Sequence, residues 1–173
     1  MKHRPLLLFS VAIILTGIFG CGYRFAGSGS YPAGVNRIFI PLMENRTAET
    51  GVERIFTNDL IYEFTRKRKE SLAQDRTNAD GILSGTIVRL SVDNIARTSA
   101  STAVERRVTG TLSLRLKSMD GRLLWASGNL AENQAYTVVA GDKTATDRNK
   151  SEAIAIVSQR LAESAFNRLT DNF

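Results

Sequence analysis

Cysteine and histidine are almost absent from this sequence, since each occurs once, at Cys21 and His3. A single cysteine cannot form an internal disulfide, and it cannot supply the several thiolates of a structural zinc site. His3 lies in a segment that we expect to be removed, so the mature chain would have no histidine base or histidine metal ligand. We therefore expect neither a metal nor a cofactor.

Catalytic motifs are scarce as well. The stretch Gly27-Ser28-Gly29 lacks the lysine and the strand-to-helix context of a phosphate-binding loop, and the carboxylates show no spacing that would pair them in a cleft. The neighbours Lys117-Ser118 and Lys150-Ser151 have no nucleophile motif around them. These absences favour binding or assembly over catalysis. The enzyme alternative is a carboxylate-only enzyme, which requires a concave pocket with at least two carboxyl groups of raised pKa.

The N-terminus has the layout of a secretory signal peptide. Basic residues precede the apolar run Leu6–Leu15, and small residues follow it. The run is shorter than the roughly 18 residues that a spanning helix needs. Because Cys21 comes directly after Gly20, the junction resembles the lipobox of bacterial lipoproteins. The pattern predicts a signal peptide at residues 1–20 and an acylated Cys21.

An acylated Cys21 would anchor the chain to a membrane without spanning it, because several acyl chains bind far more firmly than one. The glycine at position 22 implies, by resemblance to Gram-negative lipoproteins, sorting to the cell outer membrane on its periplasmic side. Residues 21–34 would then be the lipidated N-terminus and a Gly/Ser-rich tether. The remaining residues, 35–173, suffice for a single domain.

The charge of the chain is mildly positive. Removal of residues 1–20 takes away Lys2 and Arg4 and no acidic residue, so the formal net charge falls from +6 to +4. This excess permits anionic partners such as lipid phosphates. Aromatic residues are not interleaved with basic ones, so we expect no nucleic-acid partner.

Hydrophobic periodicity indicates six elements. The predicted order is a strand at 36–42, a helix with apolar positions from Val52 to Phe64 (Ile55 and Ile61 among them), three strands and an amphipathic helix. The first of the three strands has Val88, Leu90 and Val92 on one face, the second has Val108 to Leu116, and the third begins at Leu123 after a two-residue Asp120-Gly121 hairpin. An irregular stretch at 134–147 precedes the last helix, whose stripe contains Ile154, Val157, Leu161, Ala165 and Leu169.

The order β-α-β-β-β-α predicts an α+β fold, a two-layer sandwich with two helices on one face of a four-stranded mixed sheet. The other sheet face would be open and polar, and it is either solvated or a contact surface. The candidates for a contact surface on its central strand are Arg107, Thr109, Thr111, Ser113 and Arg115.

Three short motifs, in this order, resemble one known family, the lipopolysaccharide-assembly lipoproteins named LptE. They are Cys21-Gly22-Tyr23-Arg24-Phe25, then Arg37-Ile38-Phe39-Ile40-Pro41 with Asn45 and Thr47, and then Ala79-Asp80-Gly81-Ile82-Leu83 with Gly85. The resemblance covers nearly the whole mature chain.

The resemblance implies a lipoprotein that plugs the lumen of the outer-membrane β-barrel LptD, helps that barrel to assemble and binds lipopolysaccharide. It implies ligand-binding basic residues near the loop between the second and third strands and in the segment before the last helix. The candidates there are Arg97, Arg106, Lys143 and Arg148, with solvated surface charge as the alternative for each. A different outer-membrane-anchored adaptor that holds a protein partner is the alternative function.

Overall fold

A computed structural model of the chain describes residues 31–32, 34–68, 71–97 and 103–171. The predicted signal peptide at 1–20, the predicted acylation at Cys21 and most of the tether lie outside the described residues.

The strands form one mixed sheet. Strands β1 (Ile38–Phe39) and β2 (Glu44–Asn45) both pair in parallel with β3 (Gly81–Arg97). Strands β3, β4 (Ala103–Ser118) and β5 (Leu123–Thr137) form an antiparallel meander, so the order across the sheet is β1/β2-β3-β4-β5. This confirms the predicted mixed sheet. The first strand, expected at 36–42, is only the two-residue β1, which ends before Pro41, a residue without an N–H for the ladder. The short strand β2 follows beyond the predicted range.

Two helices, α1 (Val52–Arg68) and α2 (Lys143–Asp171), pack on one face of this sheet and confirm the predicted sandwich. All five residues of the predicted stripe on α2 are buried. At the centre of the contact, a Cβ added to Gly110 of β4 would lie 2.7 Å from Cγ1 of Val157. Helix and sheet therefore approach closely only because this residue has no side chain.

Two residues expected in the apolar stripe of α1 point outward. Ile55 is 39% exposed and Ile61 is 36% exposed, whereas Phe56, Leu60 and Phe64 are almost completely buried. The buried stripe of α1 is thus narrower than predicted.

The apolar face predicted for β3, with Val88, Leu90 and Val92 on one side, is wrong at Val88. Leu83 and Ile87 are fully buried, whereas Val88 is 39% exposed. Leu90 and Val92 do lie on the helix side, although Val92 is 40% exposed. The ladder between β3 and β4 shifts register between Ile87 and Arg89. An extra residue at a bulge exchanges the two faces of a strand, so odd-numbered residues face the helices before Val88 and even-numbered ones face them after it.

Two predicted connections also differ. Four residues, 119–122, join β4 to β5, and the N–H of Gly121, at φ 91°, donates to the carbonyl of Ser118 at 3.0 Å. The connection is therefore longer than the two-residue hairpin that was expected. The stretch 134–147, predicted to be irregular, contains the end of β5 and the beginning of α2.

Candidate partner and ligand surfaces

The five candidate contact residues of β4 all lie on the sheet face opposite the helices. Thr109, Thr111 and Ser113 are half-buried and alternate with the buried residues Val108, Gly110, Leu112 and Leu114. Arg107 and Arg115 continue the same face and are exposed. The structure therefore brings together, in one row, the residues that alternation selected.

Neighbouring strands extend this row into a surface, here called the open face. The register places Arg89 and Ser91 of β3 opposite Thr111 and Thr109, and it places Ala131 and Asn133 of β5 on their other side. Polar side chains dominate, so the open face has many hydrogen-bonding groups.

The four basic candidates lie at one end of the sheet. Arg97 is the last residue of β3, and Arg106 is on β4, where its Nε donates to Oδ1 of Asn94 at 3.1 Å. The amide of Val138 donates to the carbonyl of Val104 at 2.9 Å. This bond holds the segment that leads into α2 against the beginning of β4, and it brings Lys143 and Arg148 to the same end as Arg97 and Arg106.

Lys143 and Arg148 were predicted to lie in the segment before the last helix, but both are in the first turns of α2. Asp142 caps this helix, since its Oδ1 accepts the amide of Ala145 at 2.9 Å. Lys143 forms an ion pair with Asp147 one turn further on. The helix thus begins at Lys143, and an N-cap aspartate is the sequence signal that marks this start.

Exposed apolar side chains accompany the basic residues at this end. Ile95 of β3, Val104 of β4 and Val139 after β5 are between 37% and 38% exposed. Sequence reasoning did not identify them as surface residues. Apolar and basic residues therefore meet at one end of the sheet. This region is called here the basic end, and it comprises Ile95, Val104 and Val139 together with the positions of Arg97, Arg106, Lys143 and Arg148.

The motif residues around Asp80 have structural roles. The Asp80 carboxylate accepts the amides of Asn36 and Arg37, both at 2.9 Å, and these bonds lower its pKa. A Cβ on Gly85 would lie 2.9 Å from both Cδ2 of Leu114 and Cγ of Met43. This motif therefore joins the first strands to β3.

The motif residues Asn45 and Thr47 shape the connection from β2 to α1. Asn45 Oδ1 accepts the amide of Thr47 at 2.9 Å and its hydroxyl at 2.8 Å. Its Nδ2 donates to the Glu49 carbonyl at 2.7 Å and to Oε2 of Glu53 at 3.0 Å. Glu49 in turn forms an ion pair with Lys150 of α2. The loop is thereby fixed to both helices.

A cleft of about 410 Å³ between the helices contains Asp59, Glu63 and Glu163. Burial raises the pKa of Asp59, and the nearby Ser158 hydroxyl opposes this rise. Arg66 Nη2 lies 2.7 Å from Oε2 of Glu63 and 3.4 Å from Oε1 of Glu163. Two of the three carboxylates are thus engaged by one arginine that joins the helices. A general acid–base pair would need two carboxyl groups that face a substrate.

Within the described part of the chain, neither helix is long and apolar enough to cross a membrane.

Comparison with protein families gives a match over most of the chain. The family model described as LptE, lipopolysaccharide-assembly, matches residues 35–169. No curated protein sequence matches the chain.

Solved structures of other lipoproteins resemble this fold. Lipoprotein B from Nitrosomonas europaea is 10% identical with a TM-score of 0.59, over 89% of this chain and 92% of that chain. A minor lipoprotein from Acinetobacter baumannii is 14% identical with a TM-score of 0.54, over 79% of this chain and 92% of that chain. The rare lipoprotein B from Shewanella oneidensis is 7% identical with a TM-score of 0.53, over 78% of this chain and 95% of that chain. At such identities the likeness concerns the fold.

Proposed function

Because the chain belongs to the LptE family of lipopolysaccharide-assembly proteins, we propose that it is an outer-membrane lipoprotein that plugs the β-barrel LptD. In this role it helps the barrel to assemble and binds lipopolysaccharide during the last step of transport to the cell surface. The role requires contact surfaces and no catalytic turnover.

The open face is the observation that carries the proposal. The lumen of a transmembrane β-barrel is polar, so a protein that fills it needs an outer surface with many hydrogen-bonding groups. Thr109, Thr111 and Ser113 provide such groups on a row flanked by Arg107 and Arg115. In this proposal the row lies against the inner wall of the barrel.

The basic end is the proposed site for lipopolysaccharide. Its phosphates are anionic, and arginine binds phosphate through two parallel hydrogen bonds. Ile95, Val104 and Val139 add exposed apolar area beside the basic groups. A surface with both properties suits a ligand that has phosphates next to acyl chains.

The anchor completes the proposal. Acyl chains on Cys21 would hold the protein at the periplasmic side of the outer membrane, and the tether would connect them to the folded domain.

Depletion of the chain from growing cells tests this function. We expect less fully assembled LptD and less lipopolysaccharide at the cell surface, with both restored when the chain is supplied again. Unchanged amounts of both after depletion would contradict the proposal.

A further inference from the structure

The outer edge of β3 is paired along only part of its length. Strand β1 pairs with Gly81 and Ile82, and β2 pairs with Thr86 and Ile87. From position 88 onward, no strand in the described residues pairs with this side of β3. The free edge is defined here as the regular part beyond the bulge, Arg89–Asn94.

At the opposite edge of the sheet, on β5, backbone groups form hydrogen bonds with helix α2. Three side chains of α2 donate hydrogen bonds to carbonyl groups of β5. Arg160 Nη1 donates to Asn133 at 2.9 Å, Arg168 Nη1 donates to Ser127 at 2.8 Å, and Asn149 Nδ2 donates to Thr137 at 2.9 Å. Helix α2 thus occupies hydrogen-bonding groups of β5, and no described element does so for the free edge.

From Arg89 to Asp93, the side chains of the free edge are apolar on the helix side of the sheet and polar or charged on the open face. Leu90 lies opposite Gly110 and Val92 lies opposite the buried Val108, so both belong to the helix side. Arg89 lies opposite Thr111 and Asp93 lies opposite Arg107, so both belong to the open face. An uncovered edge with apolar residues such as Val92, which is 40% exposed, is a template for pairing with another strand.

We propose that the free edge pairs with the same edge of a second copy of this chain, in antiparallel orientation, about a two-fold axis at Ser91. The sequence Arg89-Leu90-Ser91-Val92-Asp93 is self-complementary in that register. Arg89 lies opposite Asp93 of the second copy, Leu90 lies opposite Val92, and Ser91 lies opposite Ser91. Directly opposite residues of an antiparallel pair point to the same face, so charges meet on the open face and apolar groups meet on the helix side.

The geometry limits this contact to a dimer of modest affinity. The ladder between β3 and β4 shifts register at Ile87/Arg89 and again at Asn94/Ala96, so six residues form the regular edge. A two-fold contact uses the same patch on both copies and closes after two chains. This pairing is expected for the chain that is not bound to a barrel, and it requires neither the barrel nor lipopolysaccharide.

Cysteine cross-linking of the full chain tests the pairing. The Cα atoms of opposite residues in an antiparallel pair are about 4.5–5.5 Å apart, within the range of a disulfide. We expect the variant Ser91→Cys, purified in detergent and oxidised, to form a disulfide-linked dimer.

Thr109→Cys is the matched control, because Thr109 lies directly opposite Ser91 on the same face, one strand further in. In the proposed dimer, its two copies are separated by three strand spacings, roughly 14 Å, so no disulfide should form. The wild type, with Cys21 as its one cysteine, reports any linkage through that residue. Absence of the dimer for Ser91→Cys, or equal dimer for both variants, would overturn the proposal.

Charge exchange tests the register in the Ser91→Cys background. Adding Arg89→Asp places two acidic groups opposite each other at both ends of the ladder, and we expect roughly fivefold less dimer. Asp93→Arg alone should have the same effect through two opposed basic groups. Combining Arg89→Asp with Asp93→Arg should restore the yield. Equal yields for single and double exchanges, in variants with unchanged circular dichroism, would also overturn the register.

Discussion

Arg37 and Asp80 exchange two hydrogen bonds across the beginning of the sheet. The amide of Asp80 donates to the carbonyl of Arg37 at 2.8 Å, and the amide of Arg37 donates to Oδ2 of Asp80 at 2.9 Å. The same carboxylate also accepts the amide of Asn36. Asp80 therefore joins the segment that enters β1 to the segment that enters β3.

This relationship makes stability depend on pH. The amides of Arg37 and Asn36 lower the pKa of Asp80 below its ordinary value of 3.8. A carboxylate with a lowered pKa stabilises the fold above its unfolded-state pKa, and this contribution is lost as the pH falls through the folded-state value. We expect Asp80→Asn to be less stable than the wild type at pH 7, with a difference that shrinks below about pH 4.

Urea denaturation of both proteins at several pH values measures this difference. Glu152→Gln, a carboxyl-to-amide change at an exposed position of α2, is the control and should show no such trend. A stability difference between wild type and Asp80→Asn that stays constant from pH 7 to pH 3 would count against the assigned role of the charge.

If the open face contacts a barrel, a bulky substitution on it should impair assembly of the complex but not folding of the free protein. Thr111 points away from the core, so Thr111→Trp should change the free energy of unfolding of the free protein by less than about 1 kcal/mol. Against a barrel wall the added volume would clash, because a packed interface resists overfilling. We expect recovery of the barrel complex to fall severalfold, and Thr111→Ala to recover it normally. Normal recovery with Thr111→Trp would mean that this face is only solvated.

The basic end predicts a loss of ligand affinity on charge reversal. Arg97→Glu combined with Lys143→Glu should weaken lipopolysaccharide binding roughly tenfold at low salt, where charge interactions are least screened. Arg54→Glu combined with Lys67→Glu, on exposed positions of α1, makes the same change in net charge. This control should bind nearly as the wild type does. Equal affinities of the two double variants would assign the effect to net charge alone.

Anchoring is tested at Cys21. Cys21→Ser should incorporate no labelled palmitate and should leave the outer-membrane fraction, because the predicted acylation requires the thiol. If the variant still takes up the label and fractionates with the outer membrane, the lipobox interpretation is wrong.

The helices and the meander were predictable because their apolar periodicity is long. The stripe from Ile154 to Leu169 identifies α2, and the alternation from Val108 to Leu116 identifies β4. The first turns of α2 have no apolar stripe, so periodicity could not detect that Lys143 and Arg148 are helical. The N-cap residue Asp142 was the signal available for that boundary.

Other features depend on contacts that a sequence pattern does not contain. The bulge at Val88 exchanges the faces of β3, and nothing in the alternation of Val88, Leu90 and Val92 indicates it. Sequence alternation did select the open face of β4 correctly, because the extra residue of the bulge lies on β3, so buried and half-buried residues of β4 alternate without interruption from Val108 to Ser113. The basic end could be assembled only after the strand register was known, since its four basic residues come from two separate stretches of the chain.

The most direct test of the proposed function is purification of the tagged full chain from detergent-solubilised outer membranes, with the bound molecules identified by mass. The account predicts that one large β-barrel protein is recovered in a stoichiometric amount together with lipopolysaccharide. Recovery of the chain without a barrel protein, or with a partner that is not a barrel, would contradict it and favour a different adaptor lipoprotein.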